Sequence, residues 1–164
     1  MTGVQTCALP ICFPVTIEIE NNIIVAIAAK EIGYIEEVGN HTKYGKWFGL
    51  DGVSWCGIFV SWCYAKALKP LPNIGYTKGF AGCQTAANWF KLKGKITKTP
   101  SAGDIVLFDW VGSGKYVHTG IYVRDIDGVR FETIEGNTSL ANQSNGGSVM
   151  RRTRLYKHAI FAHI

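Results

Sequence analysis

No stretch of this 164-residue chain reaches the eighteen or so consecutive apolar residues of a membrane span, so no membrane insertion is expected. The first residues have neither the basic segment nor the sustained apolar segment of a secretory signal, and export by that route is not expected. Five cysteines at positions 7, 12, 56, 63 and 83 form an odd set without the paired spacings of a zinc site or a disulfide framework. Charged residues make up only 18% of the chain against 47% hydrophobic, a balance that excludes extended disorder and suits one globular domain. Internal repeats and low-complexity tracts are absent. The net charge of +5 suits anionic surroundings, but Lys91, Lys93, Lys95, Lys98, Arg151, Arg152 and Arg154 lack interleaved aromatics and read as solvated faces. No nucleic-acid partner is expected.

What is present centres on Ser54–Leu68, SWCGIFVSWCYAKAL. Ser54 is a suitable N-cap, and Ile58, Phe59, Trp62 and Ala65 recur at helical spacing, which predicts a buried helix. Cys56 then falls in the first turn, where unpaired N–H groups and the helix dipole favour a thiolate, making it a candidate nucleophile. Cys63, two turns on, is expected to be an inert core thiol. Upstream, Asn22–Ile32 predicts a helix with Ile23, Ile24, Ile27, Ala28 and Ile32 on one face, Asn21 or Asn22 as cap and Gly33 as terminator. A short helix is predicted over Thr42–Phe48 and another over Cys83–Leu92, with Ala86, Ala87, Trp89 and Phe90 for packing. Residues 1–13 (MTGVQTCALPICF) have no amphipathic period and resemble a translated sequencing-adapter read-through, so they are expected to be a non-native leader ahead of a domain spanning 14–164.

Beyond Pro100 the period changes to that of strands: SAGDIVLFDW, YVHTGIYVRD, VRFETIEGN, SVMRRTRLY and HAIFAHI. Helices first and strands afterwards predict an α+β fold, with the helices packed on an antiparallel sheet of about five strands. The hairpin joined by IDG allows two registers. A four-residue loop over 125–128 places His118 opposite Glu135, and a two-residue turn at Asp127 and Gly128 places it opposite Asn137. In both, His118, Gly120, Tyr122, Phe131, Thr133, Glu135 and Asn137 share one face, and either polar partner is able to orient the imidazole. A cysteine, an oriented histidine and a carboxylate or carboxamide are the parts of a thiol acyl-transfer site.

The SWCGIFVSWC helix, the GDIVLF and HTGIYV strands and the IEGN strand end, in that order, resemble the CHAP family (cysteine, histidine-dependent amidohydrolase/peptidase) of the papain-like superfamily, over roughly residues 22–164. The resemblance implies a papain-like fold, Cys56 as nucleophile, His118 as base, and Glu135 and Asn137 as orienting residues. It further implies hydrolysis of an amide or peptide bond in bacterial peptidoglycan, by an N-acetylmuramoyl-L-alanine amidase or an endopeptidase. Many members are phage endolysins. The backbone N–H of Cys56 is a candidate oxyanion donor and the Tyr44 hydroxyl a second. Trp47, Trp55, Trp110 and Tyr116 are candidates for lining a substrate groove, and the glycine-containing loop before His118 for a movable wall. Some members bind calcium in an aspartate-rich loop ahead of the nucleophile. Here that stretch carries Asn40, His41 and a single Asp51, so no metal is assigned and calcium is the one cofactor to test. The expected protein is a monomer made in the bacterial host cytoplasm, or extracellular, and acting on the wall. The alternative is a non-catalytic wall-binding or toxin–immunity domain of the same fold.

Overall fold

The computed structural model describes residues 22–164. The expected boundary at residue 13 lies outside them, as do Cys7 and Cys12. Among the described residues, four α-helices precede or flank a six-stranded antiparallel sheet. The helices are α1 (Ile23–Lys30), α2 (Lys43–Phe48), α3 (Cys56–Lys66) and α4 (Cys83–Leu92). The strands are β1 (Ile96–Thr97), β2 (Ile105–Phe108), β3 (His118–Asp125), β4 (Arg130–Thr138), β5 (Ser148–Leu155) and β6 (Ala159–Ala162), in the spatial order β1-β6-β2-β3-β4-β5. The α+β layering is therefore as expected, with the two-residue β1 added to the five strands read from the sequence.

Local signals placed most of the helices. Asn22 caps α1, its side chain accepting from the N–H groups of Ile24 and Val25, and Thr42 caps α2 by accepting from Gly45. Two details differ. The buried stripe of α1 is Ile24, Val25 and Ala28, while Ile23 and Ile32 are exposed, because the helix lies across α3 at a rotation that sequence period alone does not fix. Ser54 does not cap α3, since Trp55 occupies the cap position and supplies no side-chain bond. The Ser54 hydroxyl instead accepts from Asn137 Nδ2 at 2.9 Å.

Helix α3 packs on β3, β4, α1 and α2 and is buried on nearly every side, not along one stripe. Two glycines permit that approach. A Cβ at Gly136 on β4 would stand 2.7 Å from Phe59 Cβ, and one at Gly57 would stand 2.6 Å from the Ala81 carbonyl. The second contact lets the chain entering α4 press against the start of α3. On the sheet's other face a smaller core forms from Val106, Phe108, Tyr122, Phe131 and Phe161.

The β3–β4 register differs on the two sides of a bulge. Ile121 faces Ile134 and Tyr122 faces Thr133, but a bulge at Val123 shifts the pairing so that Arg124 faces Glu132. Continuing the Ile121–Ile134 register brings Gly120 opposite Glu135 and His118 opposite Asn137. That is the register of the two-residue turn, reached through a bulge that the sequence did not signal.

Candidate active site

His118 opens β3, Glu135 lies on β4, and Cys56 opens α3, so three separate elements deliver the groups. The His118 ring is fully buried and its Nε2 is 2.9 Å from Glu135 Oε2. Glu135 reaches the ring diagonally across Gly120, where a Cβ would stand 2.6 Å from the Glu135 Cγ. Glycine at 120 is what leaves room for that carboxylate.

The other ring nitrogen, Nδ1, has no hydrogen-bond partner, and the adjoining group is the Cys56 thiol. Each of the two groups favours the charged form of the other. Burial pulls the His118 imidazole down, but Cys56 and Glu135 outweigh it and hold the pKa up at about 9. Cys56 is pulled well below an ordinary thiol, first by a hydrogen bond with Cys83, whose sulfur is 3.6 Å away, then by His118 and the Gly57 N–H, against the opposing effect of burial. Both shifts favour a thiolate–imidazolium pair. Cys63, by contrast, is pushed well up by burial, as expected of a core thiol.

Glu135 is held by more than the histidine. Arg154 on β5 donates through Nε to Oε1 at 2.8 Å and through Nη2 to Oε2 at 2.5 Å, and the Thr133 hydroxyl donates to Oε1 at 2.6 Å. Burial would raise the carboxyl, yet Arg154 and His118 together hold it down at about 2. The guanidinium lies over Trp110 and Phe108, 4.9 and 5.5 Å from their centroids. With Cys56 and Glu135 ionised and Arg154 and His118 protonated, the four buried charges sum to zero, so attraction to His118 offsets part of the desolvation cost of the thiolate.

Residues 48–137 match the CHAP domain. The chain belongs to the CHAP-domain family. No curated protein matches it. The matched stretch contains Cys56, His118, Glu135 and Asn137, while Arg154 lies beyond it.

Within this CHAP domain the remaining expected residues separate. Asn137 does not touch His118. Its Nδ2 donates to Ser54 Oγ and to Asn145 Oδ1, and its Oδ1 accepts from the Gly147 N–H, so it ties the turn before Cys56 to the β4–β5 loop. Its φ of 56° is the left-handed conformation that asparagine tolerates better than most residues. The oxyanion role expected of Tyr44 is corrected: the side chain is fully buried and its hydroxyl donates to Glu31 Oε2 at 2.5 Å. The groove role expected of Trp55 is corrected too, because this fully buried ring stacks on Tyr44 and donates Nε1 to Glu36 Oε2 at 2.6 Å. Trp47 packs on Phe48 at the edge of the helical core.

Trp110 stays on the imidazole side of the site, and Tyr116 lies against α4. Trp110 lies 6.2 Å from the His118 ring and walls a cavity of about 260 Å³ with Gln143, Thr153, Arg154, Leu155 and His158. The Tyr116 N–H donates to Gln84 Oε1, and its ring lies under Lys91. The loop between them is fastened by Asp109, which accepts from the N–H groups of Val111 and Gly114.

Asp51 is the one carboxylate of the stretch considered for calcium. Asp51 Oδ1 accepts from the Thr42 N–H and Oδ2 pairs with His41 Nδ1 at 3.0 Å, and the Thr42 contact leads in lowering its pKa.

Sequence reasoning missed Cys83, Gly120 and Arg154. A signal existed for the first, since Cys83 opens its helix after Gly82 much as Cys56 opens its own.

Proposed function

We propose that this CHAP domain is a peptidoglycan hydrolase that cleaves an amide or peptide bond, as an N-acetylmuramoyl-L-alanine amidase or an endopeptidase, and that it serves as a phage endolysin. The observation that carries the reading is the unpartnered Nδ1 of His118 beside Cys56, with Nε2 fixed by Glu135. Cys56 attacks the scissile carbonyl, the imidazolium protonates the leaving amine, and His118 then activates water to release the acyl group. The Cys56 N–H at the start of α3 stabilises the oxyanion. Glu135 fixes the ring, Arg154 fixes Glu135, and Asn137 positions the turn before the nucleophile. The positive charge suits an anionic wall polymer. Action on the wall after synthesis in a host cytoplasm accords with this reading.

Mass spectrometry of muropeptides after digestion of purified sacculi tests it, because an amidase leaves a lactyl carboxyl on the glycan and frees stems that begin with L-alanine, whereas an endopeptidase creates N-termini within the stem or cross-bridge. Intact sacculi after prolonged incubation with reduced protein would overturn it.

The pH dependence follows from the pair. Hydrolysis should rise with pH as Cys56 ionises, well below the ordinary thiol value, hold a plateau, and fall as His118 loses its proton near 9. The folded pKa of His118 is raised, so its contribution to stability is fully present below about 6.5 and is lost as pH rises through about 9. Rates of sacculus clearing across pH check this, and a decline beginning below neutrality contradicts it.

A further inference from the structure

Cys83 has no place in the acyl-transfer scheme, yet its sulfur touches that of Cys56 at 3.6 Å. Each cysteine is the first residue of its helix, and neither helix has a side-chain cap. The close approach is built in. Gly57 admits the Ala81 carbonyl against α3, and that contact delivers the chain to Cys83. Both thiols are free and buried, with Cys56 2% and Cys83 7% exposed.

We infer that Cys56 and Cys83 form a reversible thiol–disulfide switch, in which hydroperoxides oxidise the nucleophile and Cys83 captures it before further oxidation. The Cys56 thiolate attacks the peroxide O–O bond, giving a sulfenic acid and releasing hydroxide or alkoxide. The Cys83 sulfur then attacks the sulfenic sulfur, its proton leaving with the sulfenic oxygen as water, so that the peroxide has accepted two electrons from the thiol pair. Bond formation requires the sulfurs to close from 3.6 Å to about 2.05 Å, a side-chain-scale movement. The order of events follows from charge. While Cys56 is a thiolate it holds the Cys83 thiol protonated, and conversion to a neutral sulfenic acid lifts that restraint. A dithiol reverses the bond by exchange.

The loss of hydrolysis on oxidation rests on the function proposed above, whereas the disulfide itself does not. The full chain, reduced and then exposed to hydrogen peroxide, is alkylated and digested with trypsin. Peptide 47–66, which contains Cys56 and Cys63, should become linked to peptide 79–91, with fragment ions placing the bond at Cys56. Sacculus hydrolysis should fall at least about tenfold and return to within about twofold of the starting rate with dithiothreitol. In Cys83→Ala and Cys83→Ser proteins Cys56 should instead reach sulfinic acid, and dithiothreitol should not restore the activity that remained before oxidation. Absence of the 56–83 link in oxidised parent protein, or equal recovery in the Cys83 variants, overturns the switch. A link that forms in a protein inactive even when reduced upholds the switch and overturns the hydrolase.

Discussion

A Cys56→Ala protein should fold normally and hydrolyse sacculi on the order of 10⁴-fold more slowly than the parent. The substitution removes one sulfur from a site where the neighbouring Gly57, Phe59 and Cys83 keep their positions, and its effect on thermal unfolding should be only about 1 kcal/mol. Its effect on chemistry is much larger because water lacks a pre-positioned, ionised attacking atom at that point. Cys56→Ser should be almost as inactive, since an alkoxide is far less accessible than a thiolate beside the same imidazole. Turbidity loss of sacculi measures the rate and a melting curve controls for folding. An alanine protein that clears sacculi at the parental rate would place the activity elsewhere than Cys56, and a reduced parent that clears none would favour a wall-binding or toxin–immunity domain.

Replacing Arg154 should give the largest stability change of any residue near the site. Arg154→Met leaves Glu135 fully buried with its principal cation gone, and breaking a buried pair in this way costs about 3–5 kcal/mol. For a domain of this length that corresponds to a drop of roughly 10 °C in Tm. The Glu135 carboxyl, held at about 2 in the parent, then titrates higher. A depressed carboxyl contributes stability above its unfolded pKa that is lost as pH falls through the folded value, so the variant should unfold in acid at a higher pH than the parent. Arg154→Lys should recover part of the stability but less of the activity, because an ammonium does not reproduce the two-nitrogen grip that fixes the carboxylate plane. A combined Arg154→Met, Glu135→Gln protein should be more stable than Arg154→Met alone, since the uncompensated charge is gone. If the single and double variants melt together, the ion pair is not what holds this part of the sheet.

The chain's helices and strands were largely legible because their signals are local. Asn22 and Thr42 announce two helices, and the bounds of α4 follow from its apolar spacing. The nearness of His118 to Glu135 was legible through alternation, which survives either register. What escaped depended on contacts between distant segments. Tyr44 and Trp55 look like site residues because they flank glycines and the nucleophile, but Glu31 and Glu36 accept their polar atoms inside the helical layer. Arg154 looked like one of a run of surface cations. Only the pairing of β5 with β4, which sets Phe131 opposite Arg154, turns it toward Glu135.

The place of β6 has a consequence for how the protein comes into being. This late segment of the polypeptide lies between β1 and β2, pairing Phe108 with Ala159 and Ile96 with Ala162. During synthesis the two earlier segments have no template on that side until residues 159–162 emerge from the ribosome. Completion of the sheet therefore waits until β6 has been made, and a nascent chain that already displays Cys56 still lacks the pairing that closes this side of the sheet.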